Sequence, residues 1–324
     1  MKKSYILLVA VSGIFLLLGG CRNYEPVKPD SIGKINNLLI VVPNEDWKGP
    51  LGDTLRHIFA RDVDVLPQRE PLFDLYQTDP AYFNAKFDIL RDILIIQRGK
   101  KNGLKFIHDK YAVPQLIVYL EGKSTGDLYK LLDKHSEQII DSFKTMEKKV
   151  LLSRYSKKDW INTDSIRKSL HIDIKIPQGF KKIIAKDGFF WYREDLPDGS
   201  KNILLYSVPL TNLDSLAANI PKIRDSIGKK YIPGPLPNTW MVTEKGFSPV
   251  QHKVRFNGFT AVESRGLWEV ENDFMGGPYL NYIIPLPKYH KAVIAEGFIY
   301  LPADNKRNML LELEAILQTI KRAE

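Results

Sequence analysis

The sequence predicts an α+β fold: two lobes of mainly antiparallel sheet covered by helices, after an N-terminal export signal and a short tether. Three observations carry this. Short apolar runs bounded by Gly, Pro and polar residues recur from Asn37 to Leu301, as strands do. Many neighbouring runs are joined by turn residues rather than helix-length connections, which favours antiparallel pairing. A long amphipathic segment closes each half, at 124–155 and at 304–321. The resulting division is 1–20 export signal, 21–35 tether, 36–158 N-terminal lobe and 164–324 C-terminal lobe. No fixed-period repeat is present, which excludes solenoids and propellers.

In chain order, Lys2 and Lys3 precede an apolar run from Ile6 to Leu18. That run has signal-peptide length and falls short of the roughly 18–20 residues that span a bilayer. Asn37–Pro43 (NLLIVVP) is a buried strand, and Leu51, Leu55, Ile58 and Phe59 mark a helix within 49–62. The proline- and aromatic-rich stretch from Val65 to Phe87 reads as a packed irregular connection. Ile89–Gln97 and Gln115–Leu120 are strands. Ser124 and Asp127 form a capping box for a helix to Tyr155, with Leu128, Leu131, His135, Ile139, Phe143, Met146 and Val150 on one face.

In the second half Ile172, Ile174 and Ile176 alternate. Phe189–Glu194 and Asn202–Val208 flank Leu196-Pro197-Asp198-Gly199, a hairpin signal. Helical spacing from Leu213 to Ile227 is interrupted by Pro221, so two short helices are expected with Asn219 as the second cap. Strands follow at Val254–Glu263, Leu280–Pro285 and Lys291–Leu301. A helix from Asp304 to Lys321 then buries Met309, Leu310, Leu313, Ile316, Leu317 and Ile320.

The N-terminus offers two addresses: a lipid anchor, or an ordinary secretory signal or uncleaved anchor that happens to contain a cysteine. Leu18-Gly19-Gly20-Cys21 looks like a bacterial lipobox, and Cys21 is the chain's single cysteine. The resemblance implies a diacylglyceryl group on the Cys21 sulfur, cleavage after Gly20 and acylation of the new amino group. Several acyl chains on one residue exceed the threshold for stable anchoring. The expected partner is thus a membrane, reached through the anchor, and the expected prosthetic group is that covalent lipid alone. Arg22 follows the cysteine where an Asp commonly marks inner-membrane retention in enterobacteria, and no acidic export run is present. The expected location is the cell envelope, at the periplasmic face of the outer membrane.

The formal charge is +9; the signal takes away two lysines and no acid, leaving +7. That excess is scattered and excludes a nucleic-acid-binding signature. Lys144, Lys148, Lys149, Arg154, Lys157 and Lys158 stand against Glu147 alone. They form either a solvated helix end or a face for anionic lipid or polysaccharide. Phosphate loops, dinucleotide fingerprints, nucleophile elbows and zinc-protease helices are absent from the sequence. The six histidines have no metal-ligand spacing.

The most unusual segment runs from Glu263 to Tyr279. Gly266, Gly276 and Gly277 allow conformations that other residues resist, and Pro278 fixes the exit from a turn. One reading is a binding loop for an envelope protein or glycan. Trp268 would be its platform, Arg265 its carboxylate or phosphate reader with Glu269 beside it, and Gly276, Gly277 and Pro278 would shape it. The other is a tight hairpin whose Trp268 and Met275 fill a core. An enzymatic alternative is an envelope hydrolase using Glu263 and Glu269, which requires carboxylates roughly 5–9.5 Å apart.

R-G-L-W at Arg265–Trp268 and M-G-G-P-Y at Met275–Tyr279 are similar to motifs of an uncharacterised lipoprotein family. That family is catalogued as a domain of unknown function and found chiefly in Bacteroidota. Ile203–Pro209, Arg224–Pro235 and Glu296–Pro302 resemble it too. The resemblance implies the lipoprotein address and no established activity. The start at Pro177-Gln178-Gly179-Phe180 and the strand pair after it also resemble Mog1/PsbP-like α/β sandwiches, a likeness of fold that implies no function.

Overall fold

A computed structural model describes residues 27–84 and 86–323. The export signal, the lipobox and Cys21 lie outside the described residues. The first sheet is assembled from runs rich in Val, Ile and Leu. β1 (Asn37–Val41) leads through α1 (Asn44–Lys48) and α2 (Pro50–Phe59) to β2 (Asp74–Thr78). β3 (Asp92–Arg98), β4 (Gly103–His108) and β5 (Leu116–Gly122) follow, and the strand order is β2-β1-β3-β5-β4.

β1 pairs in parallel with β2 and β3, and β3 with β5; β4 pairs antiparallel with β5. The α+β class therefore holds for the chain, and the expectation of a mainly antiparallel first sheet is corrected. Parallel strands are buried on both faces and read as continuous apolar runs, as NLLIV and DILII do. The crossover from β2 to β3 is an irregular stretch rather than a helix, which hid the topology.

α3 (Thr125–Ser153) is capped as expected: the Ser124 side chain accepts from the Asp127 amide. Its buried face runs through Leu128, Leu132, Ile139, Ile140, Phe143 and Met146 and packs with α2 on one side of the sheet. His135 is half-buried and its Nδ1 lies 3.2 Å from Gln138 Oε1.

The second sheet follows α4 (Asp164–Leu170) and the short β6 (Ile172–Asp173). Its strands are β7 (Lys181–Lys186), β8 (Phe189–Leu196), β9 (Gly199–Pro209), β10 (Met241–Thr243), β11 (Val250–Phe256), β12 (Phe259–Val270), β13 (Gly276–Leu286) and β14 (Lys291–Tyr300). Their order is β10-β12-β13-β14-β9-β8-β7, with β11 also on β12, and the pairings are antiparallel. The expected hairpin between β8 and β9 is present, Leu196 opposite Gly199. The single strand expected at Val254–Glu263 is instead two. Asn257 (φ 46°) and Gly258 (φ 79°) take the left-handed conformations of a tight hairpin turn, placing Phe256 opposite Phe259.

α5 (Leu213–Ala218) and α6 (Ile220–Tyr231) cover one face of this sheet; α4 and α7 (Arg307–Leu317) cover the other. Asn219 stands at the N-cap of α6 as expected, but its side chain makes no capping bond there; its Nδ2 donates back to the Ser215 carbonyl. α7 is shorter than expected, and β15 (Lys321–Arg322) follows it and pairs with β6.

α3 lies against α7, and charged contacts join the two sheets' layers. Lys148 Nζ is 2.7 Å from Glu314 Oε1, and Arg307 is 2.7 Å from Asp74. Glu70, preceding β2, accepts from the backbone amides of Lys306 and Arg307 at 2.7 and 3.0 Å. It thereby satisfies donors that a helix start leaves unpaired. Lys144 is half-buried: its ammonium donates to Asn36 Oδ1 and the Leu72 carbonyl. The basic run at 144–158 is thus partly turned inward, and two of its lysines hold internal partners.

Candidate functional site

Residues 263–269 and 276–278 lie in two paired sheet strands, β12 and β13, so the expected binding loop is corrected to a strand pair. Leu267 faces Pro278, Trp268 faces Gly277 and Glu269 faces Gly276. Successive side chains on a strand point to opposite faces, and this alternation separates the candidates. Glu263 and Arg265 face α7, whereas Trp268 faces the α5–α6 side.

On the α7 side, Arg265 Nε donates to Glu263 Oε1 at 2.6 Å and its terminal nitrogen to Glu314 Oε2 at 2.7 Å. Tyr282 donates its hydroxyl to Glu263 Oε2 at 2.8 Å. Burial alone would lower the Arg265 pKa, but the carboxylates of Glu314 and Glu263 hold it well above its ordinary value. The guanidinium is committed within the fold and does not read an external anion. Glu263 and Glu269 are six residues apart on one extended strand, about 20 Å at ~3.3 Å per residue. That spacing is too long for the two carboxylates to flank one glycosidic bond.

On the opposite face Trp268 is 4% exposed and donates its indole N–H to the Ile299 carbonyl at 3.1 Å. Phe298 meets it edge-on at 5.3 Å. The glycines serve contact rather than turning. A Cβ on Gly277 would fall 2.1 Å from the Ile299 carbonyl oxygen, and one on Gly266 would fall 2.5 Å from the Tyr279 hydroxyl oxygen. Gly277→Ala is therefore expected to cost about 1–3 kcal/mol in urea unfolding, the usual penalty of overpacking. An unchanged midpoint would show that β14 yields freely.

Beneath α6, Arg224 is 1% exposed and clamps Glu296 of β14 through two 2.8 Å hydrogen bonds. It also donates to Thr243 Oγ1 at 2.7 Å, and its guanidinium carbon lies 3.5 Å from the centre of the Tyr279 ring. The clamp fixes α6, whose C-terminal end leads into Ile232–Pro235.

That segment forms one wall of a cleft of about 280 Å³. Trp268, Met275, Phe298 and Tyr300 line it, with Trp191, Arg193 and Asn202 at its other side. Trp191 donates to Asn202 Oδ1 at 2.9 Å, and Arg193 lies 2.7 Å from Asp195. Leu236 and Phe274, adjoining the wall and Met275, are exposed. A second, more open hollow of about 570 Å³ is lined by Trp268, Glu269, Gly276 and Gly277, together with Pro67 and Gln68 of the first half. Of the expected residues, then, Trp268 joins the aromatic cleft, Glu269, Gly276 and Gly277 border the hollow, and Arg265 belongs to the internal network. Pro278 sits buried in the ladder.

The sequence reading missed Trp191, Arg193, Ile232 and Tyr300 as cleft residues. Alternation within Phe189–Glu194 puts Trp191 and Arg193 on one face, but strand order alone brings them near Trp268. Among the described residues no group of three or more His, Cys, Asp or Glu is placed to hold a metal ion. Nor is any helix among them long and apolar enough to cross a membrane.

Comparison with curated proteins gives no match. Among solved structures, the Saccharomyces cerevisiae Ran-binding protein Mog1p is 12% identical with a TM-score of 0.32, covering 48% of this chain and 91% of that one. A mutant of protein Mog1 is 13% identical with a TM-score of 0.31, covering 48% and 92%. Family models match in two places, one on each side of the 156–159 connection. The chain carries two domains of unknown function, matching DUF8532 over residues 31–156 and DUF4837 over residues 159–319.

Proposed function

We propose that this protein is an acylated envelope lipoprotein, held at the periplasmic face of the outer membrane by lipid on Cys21, that binds a partner through its aromatic cleft. The address rests on Lys2, Lys3, the apolar run and Leu18-Gly19-Gly20-Cys21. The binding role rests on one observation: Ile232–Pro235, Trp268, Met275, and Phe298 with Tyr300, from four separate sequence stretches, line a single cleft. Concave, mainly apolar sites with a few placed polar groups are what ligands occupy. Aromatic faces suit an apolar side chain or the face of a sugar ring, so an envelope protein or glycan fits.

Affinity purification of the acylated chain from its native envelope tests both parts. Met275→Glu places a charge in the cleft and is expected to lose a partner that the wild type retains. Identical recovered material from both would sink the binding role. Cys21→Ser is expected to leave the membrane fraction; unchanged fractionation and gel mobility would remove the anchor.

A further inference from the structure

The two faces of the first sheet are unlike. One lies under α2 and α3; the other, carrying Leu39, Val41, Ile93, Ile95 and Ile117, is covered by irregular segments through Phe83, Phe87, Leu90 and Tyr111. The chain comes in from the tether along the rim of this second face. The Val113 amide donates to the Pro29 carbonyl at 2.9 Å, Ser31 to Val113 at 3.0 Å and Ile32 to Ile89 at 3.0 Å.

Apolar side chains at this rim point to solvent. Val27 is 83% exposed, Tyr82 65%, Ile32 48% and Val113 42%. Tyr82 precedes Phe83, which packs on this face with its ring centre 6.4 Å from that of Tyr111. Single exposed apolar residues need no explanation, but a cluster marks a contact surface. Lysines stand among them. Lys28 donates to the Asp109 carbonyl, and Lys110 donates to Tyr119 at 3.0 Å with its ammonium 4.6 Å from the Tyr111 ring centre.

We infer that this rim docks on the interfacial zone of the bilayer that holds the Cys21 lipid. The inference rests on the acylated-lipoprotein reading above. Five residues separate Cys21 from Val27, so the six steps between them reach at most about 20 Å. The rim is thus the surface the anchor keeps against lipid headgroups, and its chemistry matches that place. Tyrosine rings offer an apolar body with a polar tip, and the stems of Lys28 and Lys110 cover apolar surface while their ammonium groups, held by the Asp109 carbonyl and the Tyr119 hydroxyl, put positive charge at the rim beside lipid phosphates.

The test uses the acylated full chain in vesicles of phosphatidylethanolamine and phosphatidylglycerol. Acylation consumes the Cys21 sulfur, so Ile32→Cys, Tyr82→Cys or Ile183→Cys each supplies a single free thiol for an environment-sensitive fluorophore. Ile183, 47% exposed on β7 of the second sheet, is the reference. Labels at 32 and 82 are expected to shift to shorter wavelength and to be quenched severalfold by quencher-bearing lipids, with the label at 183 unchanged. Equal quenching at all three sites, or quenching at 183 alone, overturns the inference. If the wild type co-sediments with vesicles and Cys21 is unreactive to maleimide, yet labels at 32 and 82 do not respond, docking fails alone. If the wild type does not co-sediment and Cys21 remains reactive, the anchor reading fails and this inference with it.

Discussion

Arg224→Met will lower the free energy of unfolding by about 3–5 kcal/mol, the range found when one partner of a buried ion pair is removed. Glu296 is 0% exposed, and its two carboxylate oxygens accept from the Arg224 guanidinium. Asn281 adds a contact of only 3.3 Å, so methionine would strand a charge in the core between α6 and β14. Burial would lower the Arg224 pKa, yet Glu296 raises it above the ordinary value. Urea denaturation measures the loss. The double variant Arg224→Met with Glu296→Leu is expected to recover more than half of it, because apolar replacement of a whole buried pair is often neutral. A single-variant loss below about 1 kcal/mol would show that Glu296 finds another partner once Arg224 is gone. The same variant is expected to weaken binding at the cleft, since Ile232–Pro235 continues directly from α6.

Glu314→Leu carries the second large effect. Glu314 gathers Lys148 of α3 and Arg265 of β12, each at 2.7 Å, so its loss leaves two partly buried cations without their shared carboxylate. A destabilisation of about 3–5 kcal/mol is expected in chemical denaturation. Cleavage of the connection at 154–163 by a protease should also accelerate. Unaltered cleavage would show that α3 and α7 stay together without the ion pair.

The charge of Glu314 makes this contact acid-sensitive. Burial raises its pKa, but Arg265 and Lys148 outweigh burial and bring it from 4.5 to about 2. A depressed carboxyl contributes stability that is complete above its unfolded pKa and is lost as pH falls through the folded one. Wild type is therefore expected to lose stability between pH 4.5 and pH 2, and Glu314→Gln to show a shallower slope there. Comparing the two isolates this group from Asp92. Burial and the neighbouring Glu147 push the Asp92 carboxyl well up, which makes stability fall as pH rises above its ordinary 3.8. Equal slopes in the two proteins would remove Glu314 as the acid-sensitive group.

What the sequence disclosed was local. NLLIVVP, the Ser124–Asp127 cap and the hairpin at 196–199 each sit within a few residues, and each is where the pattern placed it. Parallel order in the first sheet was not legible because β2 is the polar run DLYQT, and its crossover carries no helical period. The Asn257-Gly258 turn was legible but was read through as strand. The glycines near Trp268 misled for a physical reason. Their role is close approach to β14 and to the Tyr279 ring, and such long-range contact leaves no mark in local spacing. Arg265 and Trp268, three residues apart, necessarily fall on opposite faces once the segment is a strand. Arg224 and Glu296 are 72 residues apart, and nothing in either neighbourhood names the other.

The Glu70 cap on α7 bears on how the chain is made. Synthesis makes the first half before the second, so Glu70 and Asp74 already exist when α7 emerges. A fragment beginning at residue 159, the start of the second family match, would have to close its last helix without that carboxylate, without Asp74 for Arg307, and with Glu314 missing Lys148. The order of the two halves in the gene is thus also a workable order of assembly, and the shorter fragment is a poor starting point for recombinant expression.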